Sequence, residues 1–377
     1  MPTATDERFI GEAIALSLRG AGTVAPSPLV GCVIVRDGVI VGSGYHGRWG
    51  GPHAEAEALR DAGDAARGAT LYVTLEPCTH YGKTPPCSRA VLDAGVRRVV
   101  IAVRDPSPIG GGGADELRTA GVEVTVGVCG PEAVLANAAY LKWRLTGLPL
   151  VHVKVAATVD GRVSGPTGLD ERITGGESCA QVHRMRFESS AVLTGVGTVL
   201  ADDPLLTARL PGGELERQPL RVVLDRSGRI PATARVLASA AENGPVLWCV
   251  AEGATPQLPG EAWGAHVDVV TCPARGSGLD LEWILRHLAE RDVTSVLVEA
   301  GPKLSTSFVR ERLADRLTLF LAPRLMGGQG LPILDSLGLA TAEDAPTLER
   351  CSWSAVGDDM RLDAWLPGLE WPALAIA

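Results

Sequence analysis

The segment TLYVTLEPCTHYGKTPPCSRAVLDAGVRRVVIAV, Thr70–Val103, decides how the first part of the chain folds. TLYVTLEP and RRVVIAV are apolar runs of strand length, and CSRAVLDAGV between them carries a helical pattern. The loop joining strand to helix is too rich in Pro, Gly and Thr to be either element. It leaves Cys78 at a strand end and Cys87 at a helix start, with eight residues between them.

The same alternation extends outward. Upstream, FIGEAIALSLRG reads as helix, GCVIV and GVIVGSGYH as a strand pair turned at Arg36-Asp37-Gly38, and HAEAEALRDAG as helix. Downstream come the helix ADELRTAG and the strand VEVTVGV. Strands alternating with amphipathic helices predict a layered α/β domain with a partly parallel sheet. Thr146-Gly147-Leu148-Pro149 then punctuates the chain, and LVHVKVAATVDGRV opens a second series. Its helices are SCAQVHRMRFES, LDLEWILRHLAE and KLSTSFVRERL; its later strands are AVLTGV, LRVVLD, PVLWCV, SVLVEAG and RLTLFLAP, with a final pair SWSAVG and MRLDAWL. A length of 377 residues suits two such α/β domains, 1–146 and 147–377.

Composition narrows the partners. Residues 1–146 carry 14 Lys+Arg against 15 Asp+Glu, and the remainder 21 against 29, so neither half has the basic footprint of a nucleic-acid reader. Aromatic residues at 4% leave few platforms for stacking bases, which points to small-molecule partners. No apolar run is long enough for a membrane span, and MPTATDERFIGEAIALSLRG lacks the basic-then-apolar order of a signal peptide. The expected compartment is the reducing cytoplasm, where paired cysteines more often serve metal or catalysis than disulfides. Cys32, Cys129, Cys179, Cys249, Cys272 and Cys351 are scattered, mostly in apolar stretches, and read as buried, inert thiols.

Cys78 and Cys87 belong with GPHAEAEAL. His53 and Glu55 form an H-x-E pair where Pro52 suits a helix start. One imidazole and two thiolates leave a fourth tetrahedral position open, as catalytic zinc requires. Such an ion brings the pKa of water towards neutrality, and a carboxylate that is not a ligand shuttles protons, as in zinc deaminases of nucleobases. Glu55 is that carboxylate. A His at a helix start also suits a cap, and two nearby cysteines also suit a structural zinc, which would want a fourth protein ligand; His80 is the rival candidate.

Several motifs together carry a resemblance: P-x-P-x-V-G-C-V-I-V, H-A-E, T-L-E-P-C-x-H-x-G-K-T-P-P-C and D-P-x-P in the first half, then K-x-A-x-T-x-D-G-R, L-T-G-V-G-T-V-L-A-D-D-P-L-L-T-A-R, V-E-A-G-P and A-P-x-L-x-G-G. In this order they resemble the bacterial bifunctional riboflavin-biosynthesis deaminase/reductases over nearly the whole chain. The resemblance implies an N-terminal cytidine-deaminase-like three-layer αβα domain and a C-terminal dihydrofolate-reductase-like α/β domain. It implies zinc, one ion per chain, and NADPH as cofactors, a pyrimidine ribosyl phosphate as substrate, and a homo-oligomer. The implied reactions are removal of the 2-amino group of 2,5-diamino-6-(5-phosphoribosylamino)pyrimidin-4-one, then reduction of the ribosyl group to ribityl.

By matched motif positions, His46, Lys83 and Asp105 contact the deaminase substrate, together with Ser27 and Ser107. Asp170, Arg186, Leu206, Arg209, Glu299 and Lys154 fall at the reductase substrate, and Ala157, Arg172, Thr198, Asp202, Gly301, Pro302 and Lys303 at the nicotinamide cofactor. Ser27 and Ser107 stand where the family often has Asn, and Asp170 and Arg172 where it usually has Ser and Trp. Those departures motivate an alternative: a zinc deaminase of another aminopyrimidine or purine, with an altered or impaired reductase.

Overall fold

The computed structural model describes residues 3–82, 85–165, 172–213, 215–256, 266–371 and 373. They form two compact units, one running from the N-terminus to Leu148 and joined by the described residues after Leu369, the other spanning Pro149–Leu369.

In the first unit the order is α1 (Ala4–Ser17), β1 (Gly31–Arg36), β2 (Val39–Tyr45), α2 (Ala54–Ala62), β3 (Thr70–Leu75), α3 (Cys87–Asp93), β4 (Arg98–Val103), α4 (Gly113–Thr119), β5 (Glu123–Val126), α5 (Gly130–Ala136) and α6 (Ala138–Thr146). The sheet runs β2-β1-β3-β4-β5, antiparallel through β3 and parallel from β3 to β5. Asp37 and Gly38 both take positive φ, as the tight β1–β2 turn requires. α1 starts five residues before the expected Phe9, because Thr3 and Asp6 close a reciprocal capping box. α1 packs with α5, and α2 with α3 and α3 with α4, so helices form two separate groups about the sheet. A buried polar knot ties α1 to it: Asp6, 1% exposed, accepts from Arg98 Nη1 at 2.7 Å, Arg98 Nη2 at 3.1 Å and Tyr72 Oη at 3.1 Å.

The second unit contains β6 (Leu150–Thr158), β7 (Arg162–Ser164), α7 (Gly176–Glu188), β8 (Ala191–Gly195), α8 (Val196–Asp202), β9 (Leu220–Leu224), α9 (Arg235–Ala238), α10 (Ala240–Asn243), β10 (Val246–Ala251), β11 (Val267–Cys272), β12 (Ala274–Arg275) and β13 (Gly278–Leu279). It continues with α11 (Leu281–Ala289), β14 (Ser295–Val298), α12 (Pro302–Arg310), β15 (Arg316–Ala322), β16 (Leu331–Pro332), β17 (Glu349–Val356) and β18 (Asp359–Trp365). The main sheet runs β11-β10-β9-β8-β14-β6-β15-β18-β17, parallel from β11 to β15 and antiparallel beyond. VLWCVA of β10 and SVLV of β14 are almost wholly buried, the continuous apolar run expected of a parallel strand covered on both faces. β14 returns between β8 and β6, so the order reverses there, and in open α/β sheets ligands bind beyond the strand ends at such a point.

Cys32, Cys249 and Cys272 are buried as expected, but Cys129 and Cys179 are half-buried and Cys351 is exposed. Cys351 sits on β17, the outermost strand, whose first seven residues are all exposed. An apolar residue count could not distinguish that edge from a central strand.

Candidate active sites

The first site is built by three element ends. His53 is the N-cap of α2 with extended backbone and makes no side-chain cap bond, which frees its ring to turn towards the cysteines. Cys78 follows β3, and Cys87 is the first residue of α3. Candidate ligand atoms of His53, Cys78 and Cys87 all lie within 4.8 Å of one another. Nδ1 of His53 is 3.5 Å from Cys78 Sγ and 3.3 Å from Cys87 Sγ. His80 is not part of this cluster.

The two thiols are not equivalent. Hydrogen bonds from Cys87 and then His53 pull the Cys78 thiol down to about 4, and the Cys87 thiol is correspondingly held up by sharing its proton with Cys78. A preformed thiolate beside an imidazole is a donor set that suits zinc, and three protein donors leave the fourth position of a catalytic site. Glu55, in the first turn of α2, is 3% exposed. Burial and the neighbouring Cys78 push its carboxyl up to about 7, so it can hold a proton or release one near neutrality.

The surrounding loops are laced to this centre. Glu76 accepts from Asp105 N–H at 3.1 Å and Ala114 N–H at 2.8 Å, and Thr79 Oγ1 donates to Gly111 O at 3.0 Å. A Cβ on Gly113 would come within 1.9 Å of Pro77 O, so only glycine lets α4 start against the Cys78 loop. Asp105 Oδ1 accepts from Tyr140 Oη and Ser107 N–H, each at 2.9 Å, and burial raises its carboxyl. Ser107 Oγ caps its own loop by accepting from Gly110 N–H at 3.2 Å. Ser27 lies in the turn before β1, its N–H donating to Val24 O.

His46 follows β2, 3% exposed, and its ring stands edge-on to His53 with centroids 5.4 Å apart. Its Nδ1 faces Pro52 O at 2.9 Å; a carbonyl only accepts, so Nδ1 carries the hydrogen. Burial keeps the imidazole neutral, and Nε2 remains a buried lone pair with no described partner. Lys83 lies outside the described residues.

In the second unit, Glu299 follows β14 and is 8% exposed. It accepts from Arg186 Nε at 2.5 Å and Nη2 at 3.0 Å, and pairs with Lys154 Nζ at 2.8 Å. Burial alone would raise its carboxyl, but Arg186 and then Lys154 outweigh that and hold it well below the usual range. Arg186 Nη1 also donates to Thr207 O at 3.0 Å, and Arg209 Nη1 to Thr207 Oγ1 at 2.8 Å. Lys154, Arg186, Arg209 and Glu299 are thus drawn into one cluster whose junction, Thr207, is a residue that sequence reasoning passed over inside L-L-T-A-R.

Leu206 requires a correction in kind: its side chain is 2% exposed and belongs to the core with Val199 and Val223, so only its backbone is left to serve a ligand. Ala157 lies near the end of β6, Thr198 in the first turn of α8 just after β8, Asp202 at the far end of α8, and Gly301, Pro302 and Lys303 at the start of α12 just after β14. Arg172 is exposed, and its carbonyl accepts from Arg324 Nη1 at 3.1 Å. Asp170 lies outside the described residues. The same sheet edge also carries a cleft of 680 Å³ that the sequence did not reveal, lined by Arg226, Ser227, Glu252, Thr271 and Trp283. Only the folding of β9, β10 and β11 side by side brings those positions together.

Comparison with known proteins covers both units. Residues 149–362 match the family described as RibD C-terminal domain, and residues 3–103 match the cytidine and deoxycytidylate deaminase zinc-binding region. The chain is 40% identical to riboflavin biosynthesis protein RibD of Aquifex aeolicus over 94% of this chain and 97% of that one. It is 39% identical to the Escherichia coli RibD over 95% and 98%. Among solved structures, Acinetobacter baumannii RibD (form 1) superposes with a TM-score of 0.85 at 36% identity, covering 97% of this chain and 99% of that one. A Thermotoga maritima diaminohydroxyphosphoribosylaminopyrimidine deaminase/5-amino-6-(5-phosphoribosylamino)uracil reductase gives 0.83 at 36%, covering 96% and 99%.

Proposed function

The chain belongs to the RibD family, and from that premise we propose how its own residues divide the two reactions of a zinc-dependent deaminase and an NADPH-dependent reductase of riboflavin biosynthesis. The main reading of the sequence stands, and the alternative of a deaminase for another purine or pyrimidine has no support among these relatives. The observation that carries the assignment of the first site is the S₂N cluster of His53, Cys78 and Cys87 with a buried carboxylate beside it.

His53, Cys78 and Cys87 hold the zinc. When bound, the ion supplies Lewis-acid activation of water near neutral pH. With an ion held there, Glu55 would be placed to take a proton from water and return one to the departing ammonia, for which its buried position against Cys78 suits it. His46 orients the pyrimidine by accepting an N–H at Nε2, the only free lone pair its Pro52 bond leaves. Asp105, fixed by Tyr140, presents its second oxygen to the ring, and Lys83 and the two serines complete the contacts.

In the second unit, NADPH supplies the hydride. Gly301 and the first turn of α12 receive its phosphates, because Pro302 opens a helix whose N–H groups have no side-chain cap. Ala157, Thr198 and Asp202 flank them, and Lys303 and Arg172 add positive charge at the rim. From β14 to β10 is three strand steps, about 14 Å, so the cleft of Arg226 and Trp283 lies along the same sheet edge, where it would be within reach of an extended dinucleotide. Arg186, Arg209 and the backbone at Leu206 bind the substrate's phosphate and ribosyl chain, with Lys154, held in place by the ionised Glu299, positioned to hand over the proton that accompanies hydride. By motif position Asp170, outside the described residues, is assigned to the same substrate. Guanidinium forks match phosphate oxygens in pairs.

We place this activity in the cytoplasm, in an assembly of identical subunits free of nucleic acid and membrane. No helix among the described residues is long and apolar enough to cross a bilayer, and the outer strand β17, exposed along its first seven residues, is an edge suited to a second copy. The test is one cuvette containing the diaminopyrimidine ribosyl phosphate and NADPH. Ammonia release followed by NADPH oxidation is the expected result; ammonia without oxidation would overturn the assignment of the second unit, and neither signal would overturn both.

A further inference from the structure

The segment Leu205–Arg209 has no regular secondary structure, yet its main-chain groups at Leu205, Thr207 and Ala208 are held by side chains from outside the segment. Leu206 takes φ +57, a left-handed conformation uncommon for a residue with a side chain. Immediately before it, Leu205 O accepts from Arg221 Nη1 at 3.3 Å. Immediately after it, Thr207 O accepts from Arg186 Nη1 at 3.0 Å and faces His183 Nδ1 at 3.2 Å. Ala208 is gripped at both ends by one amide: its N–H donates to Gln218 Oε1, and its carbonyl accepts from Gln218 Nε2, each at 2.9 Å.

Arg221 is the unusual member. It lies in β9 and is 0% exposed, yet none of its described partners is an acid. Its guanidinium donates instead to Leu205 O, to Ser239 Oγ at 3.0 Å and to Gly244 O at 2.5 Å. A fully buried cation with no counter-charge is an expensive way to tie loops together, and an apolar residue of similar size would fill the strand position at less cost. The donors are what the position requires. Their effect is to fix the main chain on one side of Leu206, as Gln218 does on the other, and so to aim Arg209, whose Nη1 donates to Thr207 Oγ1 at 2.8 Å.

We propose that Arg221 and Gln218 are positioning residues of the reductase, holding Leu205–Arg209 in the conformation that presents Arg209 and the Leu206 backbone to the phosphate of the substrate. This rests on the reading of Arg209 and Leu206 given above. Neither residue touches substrate or cofactor; both act through the segment between them.

The experiment is steady-state reduction by the full chain, with deamination followed in the same preparation as an internal control. For Gln218→Ala, KM for the phosphorylated aminouracil rises about tenfold while kcat stays within about twofold. KM for NADPH and the deamination rate stay at wild-type values, and the dephosphorylated substrate does not distinguish variant from wild type. Arg221→Met shows the larger rise in KM, and Arg221→Lys restores part of it. Unchanged KM in Gln218→Ala overturns the proposal, and so does a parallel loss of kcat, NADPH affinity and thermal stability, which would mean a merely structural role. Arg209→Met tests the premise separately: if it leaves KM for the phosphorylated substrate unaltered, the reading of Arg209 fails and the inference fails with it.

Discussion

Replacing Glu299 by Gln removes the one negative charge that two buried cations share. Glu299 is 8% exposed at its side chain, with Lys154 at 13% and Arg186 at 14%, so solvent screens the cluster little. Breaking a buried ion pair on one side costs about 3–5 kcal/mol. The amide still accepts one of the hydrogen bonds, which places the cost near the lower limit, about 3 kcal/mol. At 1.36 kcal/mol per decade, this is about two orders of magnitude in an opening equilibrium. Amide hydrogen exchange, resolved by peptides, reads it directly: protection in β14 and β6 falls by about that factor, while β3 in the other unit is unchanged. The pH dependence follows from the same charge. Glu299 has its carboxyl held far below the ordinary value of 4.5, so folding favours its ionised form and its contribution is complete above that pH. As the pH falls through 4.5 towards the folded-state value, protection in the wild-type protein decays towards that of the variant. Equal protection at pH 7, or a gap that does not narrow in acid, would refute the reasoning.

Other perturbations address the first unit. Glu55→Gln lowers the deamination rate by about 10²–10⁴, with bound zinc per chain and NADPH oxidation on the aminouracil substrate unchanged; metal analysis beside the ammonia assay checks both. In Cys87→Ser zinc is lost and deamination with it, whereas the reductase rate persists, because His53 and Cys78 alone no longer close the ligand set. Asp6→Asn lowers the urea midpoint for loss of deamination, at a cost of about 3 kcal/mol near neutrality. The Asp6 carboxyl is held below its ordinary 3.8, first by Arg98, so this contribution is present above that pH and disappears as the pH falls below it.

How much of this was legible in the sequence varies with how local the cause is. The β1–β2 hairpin is written in two adjacent residues, Asp37 and Gly38, that tolerate positive φ. The zinc cluster is also local in cause, since each ligand lies at the end of an element whose pattern is clear. α8 was hidden because VGTVLAD follows β8 without a polar cap and reads as more strand, whereas Gly195 in fact serves as its N-cap. α5 and α6 are likewise unannounced, since their N-cap residues, Cys129 and Asn137, make no side-chain cap bond. Leu206 shows the limit of motif matching: position in L-L-T-A-R marks it as a site residue but does not tell that its side chain faces the core. The Gln218–Ala208 clamp spans only ten residues, but it sits in a connection without periodic pattern, and the cleft at Arg226 depends on which strands become neighbours, a property of the whole sheet that no short window contains.

The path of the chain has a consequence for its biosynthesis. The first unit is left at Leu148, and Trp371, 4% exposed, is grouped with it again after the second unit ends at Leu369. In topological terms the reductase unit is an insertion within the deaminase unit. On the ribosome, the deaminase sheet and its metal ligands emerge early, but Trp371 arrives only after all of β6 to β18 has been translated. A nascent chain halted before that point would carry a complete zinc cluster on a body whose surface is still missing its last tryptophan.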